Sequence, residues 1–476
     1  MKRIFILAIV VVLIVASVSA VVLTGTFKKS QEIFYVGVTY CGDSIADAKL
    51  LVDKVSNYTN MFAVQSGPLM VDSAAVTEIG DYAVAKGLHF AVFYDTSQVP
   101  ERAQWLSNAT QRWGDMFGGV YYADEPAGKV LDTQITFVSP KGNTITKYPE
   151  GTVQTTNLDN MMFHPNGTIY VLKTNESGNY ILNSAITYYP NGSVTVEDRL
   201  IKIDATSMPS FQEISHNFYT PQNGTDRIAQ EPTYQQMQSK NPVLNYDVAT
   251  DLFLNKTSSP LNRFSNYWNL SSSSFPIFTS DYALYWWDYK AGYDMILAQL
   301  GWNNSINQEI ALVRGAANLQ HKDWGTMITW KYMQAPYLSD GDEMYRQLKA
   351  SYEAGARYVL VFNYAKDMSS TYGILQDQHF EALQRFWTEI QSGTVTHGGV
   401  KAEAAFVLPE NYGWGMRHPQ DKVWGIWQPS EQYSQIWPNL HATLTKYGAK
   451  LDIVYEDPAY PAAGRYSHIY YWNQTG

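Results

Sequence analysis

From residue 33 onward, short apolar runs alternate with stretches whose apolar positions recur every three or four residues. Phe34 to Tyr40 reads as a strand, after which Ile45, Ala48, Leu51, Val52 and Val55 fall on one helical face. Met61 to Gln65 is a second strand. Its helix opens at the capping pair Asp72-Ser73, carries Val76, Ile79 and Ala83 on one side and stops at Gly87. Leu88 to Tyr94 is the third strand. Pro100 suits the first turn of the next helix, which Leu106, Ala109, Trp113 and Phe117 line. Gly118-Gly119 then read as the end of that helix, followed by a fourth strand and the acidic pair of Asp124-Glu125-Pro126. The residue before a proline favours extended geometry, so Glu125 is expected to stay at the mouth of its strand.

The rhythm breaks after Pro126. From Lys129 to Ile203 the chain is turn-rich with no helical period, and Pro140-Lys141-Gly142, Pro165-Asn166-Gly167 and Pro190-Asn191-Gly192 recur at 25-residue spacing. Asn-Gly between β-branched or aromatic runs signals hairpins, so this stretch predicts an inserted meander. The segment from Asp204 to Ser274 is polar, and a helix near Thr233–Leu254 is expected to bring the chain back. Alternation resumes with strands at Phe275–Asp281, Tyr293–Leu300, Gly325–Trp330 and Arg357–Phe362. Helices come after them at Leu284–Lys290, Gln308–His321, Asp340–Ala354 and Gln376–Ile390, the last with Phe380, Leu383, Trp387 and Ile390 inward. Gly315-Ala316-Ala317 would allow close packing. Eight strands alternating with eight helices predict an α/β fold, a (β/α)8 TIM barrel. After a linker from Ser392 to Gly399, a β-α-β-β order suggests a small C-terminal α/β domain. The expected organisation is a signal peptide or membrane anchor over 1–30 and a barrel over 31–398. A β-rich insertion at 128–232 interrupts the barrel, and an α/β module covers 399–476.

The first residues change the picture of where the protein works. Met1-Lys2-Arg3 precede an apolar run from Ile4 to Leu23, long enough to span a bilayer, and Ala16 to Ala20 resembles a small-residue cleavage site. Both readings imply export, to the cell surface or beyond, with membrane attachment if the segment is uncleaved. Ten Asn-x-Ser/Thr acceptors, at Asn57, Asn108, Asn166, Asn175, Asn191, Asn223, Asn255, Asn269, Asn303 and Asn473, fit that setting. A single cysteine, Cys41, rules out an internal disulfide and is expected to pack as a small buried residue. The net charge of −10 argues against a nucleic-acid partner. Aromatic residues reach 14%, and flat rings suit the C–H faces of sugars as well as protein contacts.

In a barrel of this kind the chemistry sits beyond the C-terminal strand ends. Those positions hold Tyr40 and Asp43, Ser66, Asp95, Asp124 and Glu125, Asp281 and Tyr282, Trp302 and Asn303, Trp330 and Tyr332, and Asn363, Tyr364 and Asp367. Carboxylates, indoles and phenols of this kind suit holding or hydrolysing a glycan. No two of the nine histidines stand at i, i+4, so a zinc site is not expected, and neither a Gly-rich phosphate loop nor a Gly-x-Ser-x-Gly elbow is present. No cofactor is implied. Asp124 and Glu125 also read as a solvated turn, Asp281 as a cap for the helix at Leu284, and Trp302 and Trp330 as barrel core.

Asp124-Glu125-Pro126 after the fourth strand resembles TIM-barrel glycoside hydrolases, many of which carry Asn-Glu-Pro there. A small α/β domain after the barrel is similar to the accessory domain of some beta-galactosidase-like members. The resemblance implies that Glu125 is a general acid with Asp124 beside it, and that Tyr40, Asp95, Tyr282, Trp302, Trp330, Tyr332, Asn363 and Asp367 line a carbohydrate site. One departure is plain. Retaining members carry a nucleophilic Glu at the end of strand seven, where this chain reads Ile328-Thr329-Trp330-Lys331-Tyr332. Three readings stay open: a second carboxylate from elsewhere, Asp281 before Asp367; substrate-assisted hydrolysis using Asp124 and Glu125 together; or a barrel that binds glycan without cleaving it.

Overall fold

The computed structural model describes residues 33–94, 99–131, 246–267, 275–302, 304–332, 335–364, 372–418, 421–425, 427 and 432–474, together with eight strands between 135 and 202. Tyr35–Gly476 forms one compact unit. The apolar segment 4–23 lies outside the described residues, and among those described no helix is long and apolar enough to cross a membrane.

Eight parallel strands close into a barrel: β1 Tyr35–Tyr40, β2 Met61–Val64, β3 His89–Tyr94, β4 Phe117–Tyr122, β5 Ile277–Asp281, β6 Met295–Leu300, β7 Asp323–Ile328 and β8 Tyr358–Val361. Each pairs with its sequence neighbour, and β8 closes on β1 with Tyr358 opposite Tyr35. Helices α1 Ile45–Val55, α2 Ser73–Ala85, α3 Val99–Trp113, α4 Tyr246–Tyr267, α5 Tyr285–Ala291, α6 Ile306–Gln320, α7 Gly341–Glu353 and α8 Asp377–Ser392 come after the strands in turn. The predicted (β/α)8 barrel is therefore the fold. Its interior is filled by Tyr35, Met61, Ala63, Ala91, Tyr121, Phe278, Met295, Leu297, Met327, Tyr358 and Leu360, one residue in two along each strand. Period and caps placed the helices well: α1 buries Ala48, Leu51, Val52 and Val55, and Asp72 caps α2 by accepting the amides of Ala74 and Ala75. On α8 the buried aromatics are Phe380, as expected, and Phe386 in place of the half-buried Trp387.

Two expectations need correction. Gly118 and Gly119 do not end a helix; with Phe117 they lie inside β4. Phe90 of β3 pairs with Phe117 but Ala91 pairs with Gly119, so Gly118 is an extra residue, a bulge in the ladder. Gly119 takes φ 118°, and a Cβ there would stand 2.5 Å from the Pro276 carbonyl oxygen. No other residue type fits that combination without strain. The return helix also extends further than expected: α4 runs through Pro260 to Tyr267, beyond Leu254, while its expected start at Thr233 falls in 203–245, outside the described residues.

The insertion after β4 is an antiparallel sheet of eight strands: Ile135–Val138, Thr144–Lys147, Val153–Thr156, Met161–Phe163, Thr168–Thr174, Tyr180–Tyr188, Ser193–Val196 and Arg199–Lys202, each paired with the next. The turns at 140–142, 165–167 and 190–192 fall between successive strands but outside the described residues.

Beyond the barrel, β9 Ala404–Leu408 lies between β10 Leu451–Tyr455 and β11 His468–Tyr471, all parallel, with α9 Tyr433–Tyr447 connecting β9 to β10. This is the predicted β-α-β-β order. Arg314 of α6 fastens it to the barrel. Its Nε donates to Asp452 Oδ1 at 2.7 Å and its Nη2 to the carbonyls of Ala449 and Leu451, all in the interior. Gly315 next to it lets the backbones meet, since a Cβ there would stand 2.7 Å from the Ile453 carbonyl.

Candidate active site

Tyr121 points into the barrel, and Ala123 and Glu125 both take left-handed φ, at 53° and 52°, on either side of Asp124. Such conformations cost a non-glycine residue about 1–3 kcal/mol and persist only where the surroundings fix them. Here they do. The Ala123 carbonyl accepts from Thr279 Oγ1 at 2.6 Å, and the Glu125 amide donates to the Ser280 carbonyl at 3.0 Å. Glu125 is thus left-handed, whereas its place before Pro126 predicts extended geometry. Its carbonyl accepts the Lys129 amide and leads into the short helix Gly128–Leu131, so tertiary contacts from β5 override the local preference.

The two acids share one hydrogen-bonded circuit. Gln299, near the end of β6, donates from Nε2 to Glu125 Oε1 at 2.7 Å and to Ser280 Oγ at 3.1 Å. Ser280 Oγ is 2.6 Å from the Tyr121 hydroxyl, which donates in turn to Asp124 Oδ1. Lys129 donates to the Asp124 carbonyl at 2.7 Å, and its ammonium lies 3.6 Å from Asp124 Oδ2 and 3.8 Å from Glu125 Oε2. Both acid side chains keep between a quarter and a third of their surface exposed. Burial and then the Asp124 charge push the Glu125 carboxyl up to about 8; Lys129 and the Gln299 bond pull it down only in part. These surroundings favour the protonated form of Glu125 more than those of an ordinary carboxyl.

Asp281, expected as a second acid or a cap for the helix at Leu284, is fully buried and holds the loop. Its Oδ2 accepts from Ala127 N at 2.7 Å, and its Oδ1 from Gly128 N at 2.8 Å and Tyr282 N at 2.7 Å. It thereby ties the turn after Glu125 to the turn after β5. A Cβ at Gly128 would stand 2.6 Å from Asp281 Oδ1, so this contact needs glycine. Burial drives the Asp281 carboxyl up to about 7 against the pull of these amides, and drives its buried neighbour Asp288, which lacks them, well above the usual carboxylate range. Glu309 of α6 is buried as well, accepts the Tyr285 hydroxyl at 2.5 Å and is raised to about 8 by that burial.

Rings also cluster at the ends of β6, β7 and β8. Trp302 (39% exposed) packs edge-on against Trp330 at 6.2 Å, and Trp330 meets Tyr337, Phe362 and Tyr364 at 5.5–6.1 Å. Trp302 therefore lies at the surface rather than in the barrel core, and the buried Nε1 of the half-buried Trp330 has no acceptor among the described residues. Tyr332 is 43% exposed. Tyr282 stands at the rim with the Arg417 guanidinium 5.3 Å over its ring. Two other expected lining residues are committed to backbone. The buried Tyr40 hydroxyl donates to the Ser44 carbonyl at 2.7 Å, and buried Asn363 accepts from Ile374 N at 3.1 Å. Asp95 and Asp367 lie outside the described residues. Cys41 is only partly enclosed rather than buried, and desolvation pushes its thiol up to about 12. Among the described residues no three His, Cys, Asp or Glu side chains are grouped to hold a metal ion.

Tyr121, Ser280, Gln299 and Lys129 were not anticipated. A polar Ser280 and Gln299 at the inward parity of otherwise apolar strands was the available signal. The loop between β9 and α9 was also missed. It packs against the short helix Gly128–Leu131: Gly425 lies under the carbonyls of Val130 and Leu131, and Gln308 donates to the Met416 carbonyl at 2.8 Å.

No family model matches the sequence, and no curated protein does. Similar solved structures include a beta-galactosidase from the psychrophilic Marinomonas ef1, with TM-score 0.45 and 8% identity, over 89% of this chain and 70% of that one. Another is a beta-galactosidase from Bacillus circulans sp. alkalophilus, with TM-score 0.44 and 8% identity, over 90% of this chain and 66% of that one. The barrel itself stands on its own closed strand pairing.

Proposed function

We propose that this protein is an exported glycoside hydrolase acting on an extracellular or cell-envelope glycan, with Glu125 as the acid that protonates the leaving oxygen. The observation that carries the reading is Glu125 itself: a carboxyl raised to about 8, aimed by Gln299 at the C-terminal mouth of a (β/α)8 barrel. The exposed rings of Trp302 and Tyr332 offer surfaces for sugar faces at the same end of the barrel. Export rests on the apolar stretch 4–23 and the ten Asn-x-Ser/Thr acceptors.

A panel of aryl glycosides and envelope-type oligosaccharides tests this with the wild type and Glu125→Gln. The variant keeps the Gln299 contact but has no proton to give, and kcat should fall about 10²- to 10⁴-fold. Turnover that survives the substitution intact removes the proposal. A second reading, a barrel that binds glycan without cleaving it, draws on Asp281 being spent on backbone amides and on the absence of an acid at the end of β7. It is favoured if the wild type binds an oligosaccharide that it never hydrolyses.

A further inference from the structure

Beside Asp281 lies a second carboxyl, Asp288 of α5, fully buried like its neighbour. Among the described residues neither of its side-chain oxygens has a hydrogen-bond donor. The titratable groups around the Asp281–Asp288 pair are Glu125 and Lys129 from the segment after β4, Tyr285 and Tyr289 of α5, Tyr293 just before β6, and Glu309 of α6. Their donors are spent elsewhere. The Tyr285 hydroxyl donates to Glu309, that of Tyr289 to the Asp323 carbonyl, that of Tyr293 to the Tyr122 carbonyl, and Lys129 to the Asp124 carbonyl. An ionised carboxyl given neither water nor a donor is costly, so Asp288 keeps its proton. Asp281 is its opposite. It accepts the amides of Ala127, Gly128, Tyr282 and, at 3.4 Å, Ala283, and such bonds favour the charged form. The acceptor within reach of the Asp288 carboxyl is Asp281.

Resting on the reading of Glu125 as proton donor, we infer that Asp288 is a positioning residue for that acid. It stays protonated, its O–H donates to the Asp281 carboxylate, and the bond keeps Asp281 in the charged form that holds the loop after β4. Asp288 touches neither Glu125 nor the barrel mouth in this role; it acts through Asp281, which reaches Glu125 in two ways. The Asp281 oxygens fix the Ala127 and Gly128 amides, two and three residues beyond Glu125. The Asp281 charge is also one of those that keep the proton on Glu125. A carboxylate that loses a donor binds its own proton more tightly. Without Asp288, Asp281 therefore turns neutral at higher pH than before, its grip on the amides slackens, and Glu125 feels less negative charge. The alkaline limb of activity then moves to lower pH.

The test compares the purified wild type with Asp288→Asn and Asp288→Leu. Asn keeps an N–H donor for Asp281, whereas Leu, of similar size, keeps the packing and supplies none. An infrared difference spectrum, wild type minus Asp288→Asn, should show the carbonyl stretch of a protonated carboxylic acid at neutral pH and into mildly alkaline solution. That readout needs no turnover. On a glycoside that the wild type cleaves, Asp288→Leu should lose about 10- to 100-fold in kcat with KM little changed. Its alkaline limb should shift to lower pH, while Asp288→Asn retains both the rate and the limb. In an Asp281→Asn background the Leu substitution should have no further effect on kcat, because the residue it acts through no longer carries a charge. If the Leu chain does not fold, the infrared band and the profile of Asp288→Asn decide the question. An ionised Asp288 in the infrared spectrum overturns the inference and leaves the hydrolase reading standing. So do Asn and Leu variants that lose equal activity with the limb unmoved. A chain that shows the protonated band but cleaves no glycoside overturns the hydrolase reading, and the positioning role falls with it.

Discussion

Glu125 is pulled two ways by its neighbours. Burial and the Asp124 charge keep its proton on, while the Lys129 ammonium and the Gln299 amide favour release, and the balance falls at about 8. The sign for activity is direct. A general acid must arrive protonated, so kcat/KM should hold through neutral pH and decline above about 8. Lys129→Met removes the larger of the two groups that favour the carboxylate, so the alkaline limb of the profile should move to higher pH. Because Lys129 also donates to the Asp124 carbonyl, some loss of kcat should accompany the move. A pH–rate profile of both proteins on one glycoside checks this, and a limb that stays where it was assigns it to some group other than Glu125. The residue types of this pair were legible in the sequence, because an acidic dipeptide after a strand and before a proline is a local pattern. Its environment was not. Gln299 and Ser280 reach Glu125 and Tyr121 from residues more than 150 positions away, so their polar character is visible in the strands but their partners are not.

At the scale of elements, the loops after β4 and β5 behave as one piece, because Asp281 joins them. Removing its charge but not its shape, Asp281→Asn keeps an acceptor for Gly128 and Tyr282 and turns a donor toward the Ala127 amide. One buried N–H then faces another N–H, which costs about 1–3 kcal/mol. Denaturant unfolding should register that loss. Since Glu125 lies two residues before Ala127, kcat should fall with KM little changed; a large KM effect with kcat intact would instead put Asp281 on the substrate. The same pair of loops explains where reading by pattern worked and where it failed. Helical spacing and a single capping residue sufficed for α1 and α2, since both are local properties. Gly118-Gly119 misled because glycine serves equally as a helix stop and as a bulge, and the choice depends on Pro276, a residue far along the chain. Asp281 misled in the opposite sense. Its position beside a helix start suggested a cap for that helix, whereas half of its amides come from another loop.

For the whole molecule, the barrel and the C-terminal sheet share a functional boundary. The loop between β9 and α9 packs under Val130 and Leu131, its Trp424 meets Trp287 of α5 at 4.8 Å, and Asn411 donates to Asp247 of α4 at 2.8 Å. The short helix after Glu125 therefore rests on a loop of the C-terminal module that is held by barrel helices, and the sheet from which that loop springs is fastened through Arg314. The Arg314–Asp452 pair is almost wholly buried, and breaking such a pair from one side costs about 3–5 kcal/mol, because the remaining charge is left without a partner. Arg314→Met should lower the unfolding midpoint, expose the 399–476 region to limited proteolysis and reduce turnover together, although Arg314 touches nothing at the barrel mouth. Arg314→Lys should not rescue it. An ammonium cannot serve Asp452 and the carbonyls of Ala449 and Leu451 in the planar fork that the guanidinium provides. If proteolysis and activity separated, with the C-terminal region loosened and hydrolysis unaffected, the loop against the short helix would be packing alone, and the barrel would hold its acid without help.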